Sequence, residues 1–392
     1  MNKEKFVSKN TYNIPFSNIR KIFEKSRKLE MQGEKIIHME IGRPDFDTPN
    51  NIKKEAIKSL EKGYVHYSSS KGILELRQAI SEKLRKDNNI NVTPEEVIVT
   101  SGCKEAIFDT LLAFLNPGEE VLIPDPSWLA YTHIVQLLGG IPIPVPLKSR
   151  NDFIIDPQDV KALITNKTKF LILCSPHNPT GAVIDSSTIQ ELANICIDEN
   201  LLVLSDEIYE KLIYDDAQHL SIGSLPNMEE RTITINGFSK AYAMDGWRLG
   251  YAAGSESLTK YIHKVHQYVT TCASTFNQYG AAEAYRGSQN KLNHMINEFN
   301  TRREFLIKEF SRIEGISCNT PLGSFYIFPK FHGYDLSSYE MALYLLHEAN
   351  VACVPGQSFG INGKGHIRFS YATDFESIQT GMKSIRKALK KL

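Results

Sequence analysis

Between residues 95 and 255 the chain alternates short, continuously apolar runs with longer stretches of helical periodicity. The apolar runs fall at 97–100, 120–123, 169–174, 201–206 and 232–236, each bounded by turn residues. Runs of this length, rich in Val, Ile and Leu without alternation, predict strands buried on both faces. Helical patterns between most of them predict an α/β fold, a mainly parallel sheet sandwiched by helices. Upstream, the pattern predicts a helix opening at Ser17 and running toward Leu29, a strand over 35–40, and helices over 50–62 and 73–86. Beyond residue 286 the chain turns more polar and helical, then β-favouring at 321–328, 351–354 and 366–371. At 392 residues the chain exceeds what one core usually supports. The expected division is an N-terminal arm with part of a small domain (1–45), a large domain (46–285) and a C-terminal small α+β domain (286–392).

Composition narrows the function classes. Lys plus Arg equal Asp plus Glu at 45 each, which predicts neither a nucleic-acid nor an anionic-membrane surface. The charged start Met1–Phe6 leads into no signal-like apolar stretch, and no run approaches the roughly 20 apolar residues a bilayer span needs. Six scattered cysteines without a Cys-x-x-Cys pair argue against disulfides or a zinc site and for a cytoplasmic setting. His263 and His266 are close, but no cysteine or carboxylate cluster joins them in sequence, so no metal is expected.

Candidate chemistry sits just after the predicted strands, where ligands bind in open α/β sheets. Ser101-Gly102-Cys103-Lys104 leads into a helix, whose free N–H groups and dipole favour a phosphate. Pro124-Asp125-Pro126-Ser127-Trp128 offers a flat indole for ring stacking. In Ser175-Pro176-His177-Asn178-Pro179-Thr180-Gly181 two prolines fix a loop around an amide. Asp206 closes an apolar run, a costly place for a carboxylate unless a cation or proton donor meets it, and Tyr209 follows three residues on. Asn236-Gly237-Phe238-Ser239-Lys240 breaks a strand into a turn that presents a lysine, and Arg248 stands eight residues on. Arg368 interrupts a β-favouring run, and its fork suits a carboxylate.

The segment from Asn236 to Lys240, with Gly246-Trp247-Arg248-Leu249-Gly250-Tyr251, resembles the lysine segment of class I, fold-type I pyridoxal-phosphate aminotransferases, the aspartate aminotransferase-like group. Asn178-Pro179-Thr180-Gly181 and Gly42-Arg43-Pro44-Asp45-Phe46 resemble two further motifs of that family, and the likeness spans about residues 15 to 390. The resemblance implies pyridoxal 5'-phosphate as cofactor, joined to Lys240 as a Schiff base, with Asp206 on the ring nitrogen and Asn178 and Tyr209 on the phenolic oxygen. It further implies Gly102, Cys103, Lys104 and Arg248 around the phosphate, Trp128 on the ring, and Gly42 and Arg368 at the substrate carboxylate, where Trp128 and Asn178 also contribute. Tyr67 matches a tyrosine that reaches a partner's phosphate, which implies a homodimer with shared sites. Lys240, freed by an incoming amino acid, would move the proton from Cα.

Two positions depart from the family pattern: Asp245, where many relatives have threonine, and Gly237, which lacks a hydroxyl some relatives use. For a second substrate carboxylate, Arg20, Lys71 and Lys104 are candidates by rough location, while Ile19 and Phe325 would suit an apolar side chain. The expectation is an aspartate- or aromatic-type aminotransferase passing its amino group to a 2-oxo acid such as 2-oxoglutarate. A β-lyase or decarboxylase on the same cofactor frame is the alternative, with a non-catalytic binding protein behind it.

Overall fold

The computed structural model describes residues 6–12, 14–16 and 18–392, with the backbone alone at Asn18 and Ile19. Seven strands form the principal sheet: β1 (Val97–Thr100), β2 (Glu120–Asp125), β3 (Ile141–Pro146), β4 (Thr168–Cys174), β5 (Leu202–Asp206), β6 (Thr232–Gly237) and β7 (Gly250–Ala253). Their order is β1-β7-β6-β5-β4-β2-β3. Only β7 runs against its neighbours, and the pairs from β6 through to β3 are parallel. Five of the seven are the apolar runs expected from sequence, with ends that agree within two residues.

The other two were not expected as strands, for different reasons. In β3, prolines at 142, 144 and 146 mask the pattern. They are tolerated because the strand lies at the sheet edge. Its neighbours in the odd register, Ile141 and Leu147, donate their N–H groups inward to the carbonyls of Glu119 and Asp125, so the prolines occupy the outward positions, where no donor is needed. In β7, Gly250-Tyr251-Ala252-Ala253 is small and short. A Cβ on Gly250 would lie 2.5 Å from the Cys103 amide nitrogen, so packing against the helix Cys103–Phe114 dictates the residue there.

Helices cover both faces of the sheet, and β1, β4, β5 and β6 are buried almost throughout. Smaller sheets carry the rest. Ile37–His38 pairs in parallel with Val351–Ala352, so the N-terminal segment is tied to the C-terminal part of the chain. Tyr326–Ile327 and Val354–Pro355 flank Ile367–Ser370 on either side. The long helix Asn290–Phe310 and the C-terminal helix Phe375–Leu389 supply part of the core behind these strands. Among the described residues no helix is long and apolar enough to cross a membrane.

Candidate active site

The loops after the strands β1, β2, β4, β5 and β6 converge on one cavity of about 320 Å³. Asp206 is the last residue of β5, and Lys240 stands in the turn after β6. Asn178 follows β4, Trp128 follows β2, and Cys103 and Lys104 open the helix after β1. Gly42 and Arg368 close the cavity from the smaller sheets.

Lys240 is half-buried, and its Nζ donates to the Gly42 carbonyl at 2.6 Å. Burial drives its pKa down to about 8, with the nearby Arg368 and Arg248 adding to the effect and Asp245 opposing it. The Asp206 carboxyl is pushed up to about 6 by burial, although two donors stabilise its charged form. Those donors are the Tyr131 hydroxyl, 2.7 Å from Oδ2, and the Ile208 N–H, 3.2 Å from Oδ1.

Arg248 and the turn after β1 make a cationic cradle. Gly102 caps the 12-residue helix Cys103–Phe114 at φ 88°, a left-handed conformation that a side chain rarely adopts. A Cβ there would come within 2.5 Å of Arg248 Nη2, so glycine is also what lets the guanidinium approach. Arg248 Nη1 donates to the Asp245 backbone carbonyl at 2.9 Å and Nη2 to that of Ser101 at 3.3 Å. The Lys104 ammonium lies 5.1 Å from the centre of the Trp128 ring, at the exposed rim of the cavity. Its pKa is lowered, first by partial desolvation and then by Arg248.

On the opposite wall Arg368 donates from Nη1 to Asn178 Oδ1 at 3.1 Å and from Nη2 to the Glu40 carbonyl at 2.5 Å. Its Nε is buried without a partner. Tyr209 and Tyr326 join their hydroxyls at 3.0 Å. A buried arginine with a spare donor, a buried carboxylate and a lysine of lowered pKa in one cavity are a signature of covalent and proton-transfer chemistry.

The sequence profile of the aminotransferase class I and II family matches residues 34–385. The chain belongs to this family. It is 43% identical to the aspartate aminotransferase of Pyrococcus abyssi over 377 residues, covering 95% of this chain and 96% of that one. It is 41% identical to aromatic-amino-acid aminotransferase 2 of Thermococcus litoralis, again covering 95% and 96%. A solved aspartate aminotransferase of Thermus thermophilus with maleate superposes at a TM-score of 0.93, with 35% identity over 97% of this chain and 99% of that one. The protein is therefore an aminotransferase, and its family works with pyridoxal phosphate.

Of the residues singled out in the sequence of this aminotransferase, Gly42, Cys103, Lys104, Trp128, Asn178, Asp206, Tyr209, Lys240, Arg248 and Arg368 line the cavity, and Gly102 abuts it through Arg248. Tyr67 does not: its side chain is 87% exposed, outside the cavity of its own chain. Arg20 and Lys71 are elsewhere too, paired with Glu24 and Glu95 on the surface. Phe325 is fully buried behind the wall, and the Ile19 side chain lies outside the described residues. The two departures have local explanations. Asp245 meets Arg248 through its backbone, not its carboxylate. A Cβ at Gly237 would sit 2.9 Å from Gly250 Cα and 3.0 Å from Cys103 Sγ, so with a cysteine at 103 position 237 has no room for a hydroxyl-bearing side chain.

Tyr131 and Tyr326 line the cavity and were not foreseen. A signal for Tyr131 existed: a carboxylate closing an apolar strand needs a buried donor, and a tyrosine lies three residues beyond Trp128. His266 needs a correction as well. The fold brings the Asp109 carboxylate to 3.0 Å and that of Glu105 to 3.8 Å from its Nδ1, a juxtaposition that residue spacing around His263 and His266 does not reveal.

Proposed function

We propose that this aminotransferase holds pyridoxal phosphate at Lys240 and takes an acidic, aspartate-type amino acid as donor and 2-oxoglutarate as acceptor. The residues suit the cofactor. The buried Asp206 lacks a cationic partner, which a pyridinium N–H supplies. Gly102, the following helix N-terminus and Arg248 form a cradle that a Cβ would fill. When bound, the cofactor provides an electron-withdrawing ring that accepts the electron pair of the broken Cα–H bond.

Everything else falls to the chain. Lys240 anchors covalently, and its Nζ, freed by the incoming amine, takes the Cα proton; a pKa of about 8 suits a base working near neutrality. Asp206 keeps a proton on the ring nitrogen. Tyr209 and Asn178 orient the phenolic oxygen, and Trp128 supports the ring face. Arg368, with Asn178 beside it, grips the α-carboxylate through its free donors.

The observation that carries the donor class is Lys104. Of the three cations considered for a second carboxylate, it alone lines the cavity. A cation at the rim of the cavity makes a dicarboxylate a favourable partner, and the Thermus relative solved with maleate supports the same class. Replacement with Met keeps the length and removes the charge. An amino-donor panel should then show kcat/KM for aspartate down about 10- to 100-fold, the worth of a charged hydrogen bond, with phenylalanine little changed. Faster turnover of phenylalanine than aspartate by the native protein, with Lys104→Met without effect, would show the apolar donor to be the natural one.

A homodimer completes this reading. Val65, Tyr67, Tyr268 and Val269 expose apolar surface, and the 64–67 loop is tied to the start of the helix Thr275–Arg286 by Thr275 Oγ1 donating to the His66 carbonyl at 2.7 Å. An exposed face of this kind is suited to a second copy, which would bring Tyr67 to the neighbouring cradle. Sedimentation showing a stable monomer with full activity would refute that. The six free cysteines fit a cytoplasmic protein.

A further inference from the structure

Tyr326 occupies the best-determined place in the cavity that no step above uses. It lies on the strand Tyr326–Ile327, which pairs antiparallel with Ile367–Ser370 in the register Tyr326↔Ser370. Residues two apart on a strand share a face, so Tyr326 opposite Ser370 is diagonal to Arg368 and points the same way. The guanidinium carbon of Arg368 lies 4.4 Å from the centre of the Tyr326 ring. The Tyr326 ring is thus clamped from one side.

The Gly42 backbone closes on its hydroxyl end. A Cβ at Gly42 would come within 2.3 Å of the Tyr326 oxygen, so the close approach exists only because residue 42 has no side chain. Held between Arg368 and Gly42, and 1% exposed, the phenol has one hydroxyl partner, Tyr209, at 3.0 Å. Each phenol carries one proton. If Tyr209 donated to Tyr326, its proton would be spent inside the wall and none would face the cavity. If Tyr326 donates, Tyr209 keeps its own proton for the ligand, and accepting a hydrogen bond makes it a stronger donor.

We propose that Tyr326 is a positioning residue for the reaction: it donates to Tyr209, fixes the direction of that phenol, and strengthens the hydrogen bond Tyr209 gives to the cofactor's phenolic oxygen. This rests on the placement of pyridoxal phosphate at Lys240 argued above. Its consequence is electrostatic. A weaker donor at Tyr209 leaves more negative charge on the phenolic oxygen, and that charge holds the proton on the adjacent nitrogen of the Lys240 linkage to higher pH.

The test is a pH titration of the visible band of the cofactor-loaded protein, with no turnover involved. Tyr326→Phe keeps the ring and removes the hydroxyl, and the midpoint should rise by roughly half a pH unit, the size expected for one weakened hydrogen bond. Tyr209→Phe should raise it further, and Tyr326→Phe added to Tyr209→Phe should change nothing more, because the effect passes through Tyr209. Fluorotyrosine placed at 326 is a sharper donor in an intact wall. It should lower the midpoint, and it serves as the decisive variant if Tyr326→Phe folds poorly. A midpoint unmoved by either change, or moved equally when Tyr209 is already Phe, overturns the proposal while leaving the cofactor's place intact. A native protein that develops no visible band with pyridoxal phosphate overturns the cofactor's place and this proposal together.

Discussion

Asp206 and Glu207 are neighbours in sequence, and both are buried. Yet they belong to opposite kinds of place. Glu207 faces a closed network: its Oε1 accepts from Ser205 Oγ at 2.9 Å, and its Oε2 from Ser221 Oγ at 2.6 Å and Asn88 Nδ2 at 3.1 Å. His219 stands 3.1 Å from the same oxygen. Glu210 in that network is joined to Lys83 and, at 2.6 Å, to Asn88. Burial alone would raise the Glu210 carboxyl, but Lys83, with His219 and Asn88, carries it down to about 2. Asp206 faces the cavity with two neutral donors and no cation in contact, and burial prevails, at about 6. One cluster spends its charges on each other. The other keeps them available, which is what a binding site requires and what a structural network avoids.

The contrast breaks most sharply at Lys83. Lys83→Met leaves Glu210 as an unpaired buried charge and should destabilise the protein by about 3–5 kcal/mol in chemical denaturation, without moving the visible band of bound cofactor. An unchanged denaturation midpoint would mean that the pair contributes nothing.

The same kind of change at the cavity should have the opposite sign. The Asp206 pKa is higher folded than the roughly 3.9 of an unfolded aspartate, so the native state binds the extra proton and loses stability as pH rises from about 4 through 6. Asp206→Asn removes that loss. The cofactor-free variant should gain about 2 kcal/mol above pH 6, the gain fading below pH 4, while transamination collapses. Equal stability of native and variant at pH 8 would contradict the comparison.

The smallest effect concerns Lys240. Its folded pKa is lowered to about 8, so the native state binds fewer protons than the unfolded one from there to about 10.4, and this group's contribution to stability rises with pH across that range. The neutral amine is the form that reacts. Mixing cofactor-free protein with pyridoxal phosphate should give a visible band whose rate of appearance climbs about tenfold per pH unit below 8 and levels off above. A rate still climbing at pH 10 would point to an ordinary solvated lysine.

Much of this was legible in the residues themselves. Five strands were readable because strands covered on both faces need apolar side chains throughout, and most of the cavity's lining was readable because it sits where those strands end. What escaped depends on three-dimensional neighbours. The Tyr131 hydroxyl reaches Asp206 across 75 positions of sequence, and Tyr326 reaches Tyr209 across 117. No local period encodes such pairings. From sequence, Glu207 is expected to face away from Asp206 as a structural or solvated acid; that it is the structural kind comes only from the packing of Asn88 and Ser221 around it. Tyr67 resembles a family residue in sequence but has no work to do within one chain.

The proline-studded strand Ile141–Pro146 also has a bearing on life at high concentration. A sheet margin normally offers a ladder of donors and acceptors onto which a stray strand, or another copy of the chain, can stack and grow. Here every second rung lacks its hydrogen. An incoming strand would find acceptors but no donors, so the sheet ends in a margin that resists fibril-like growth.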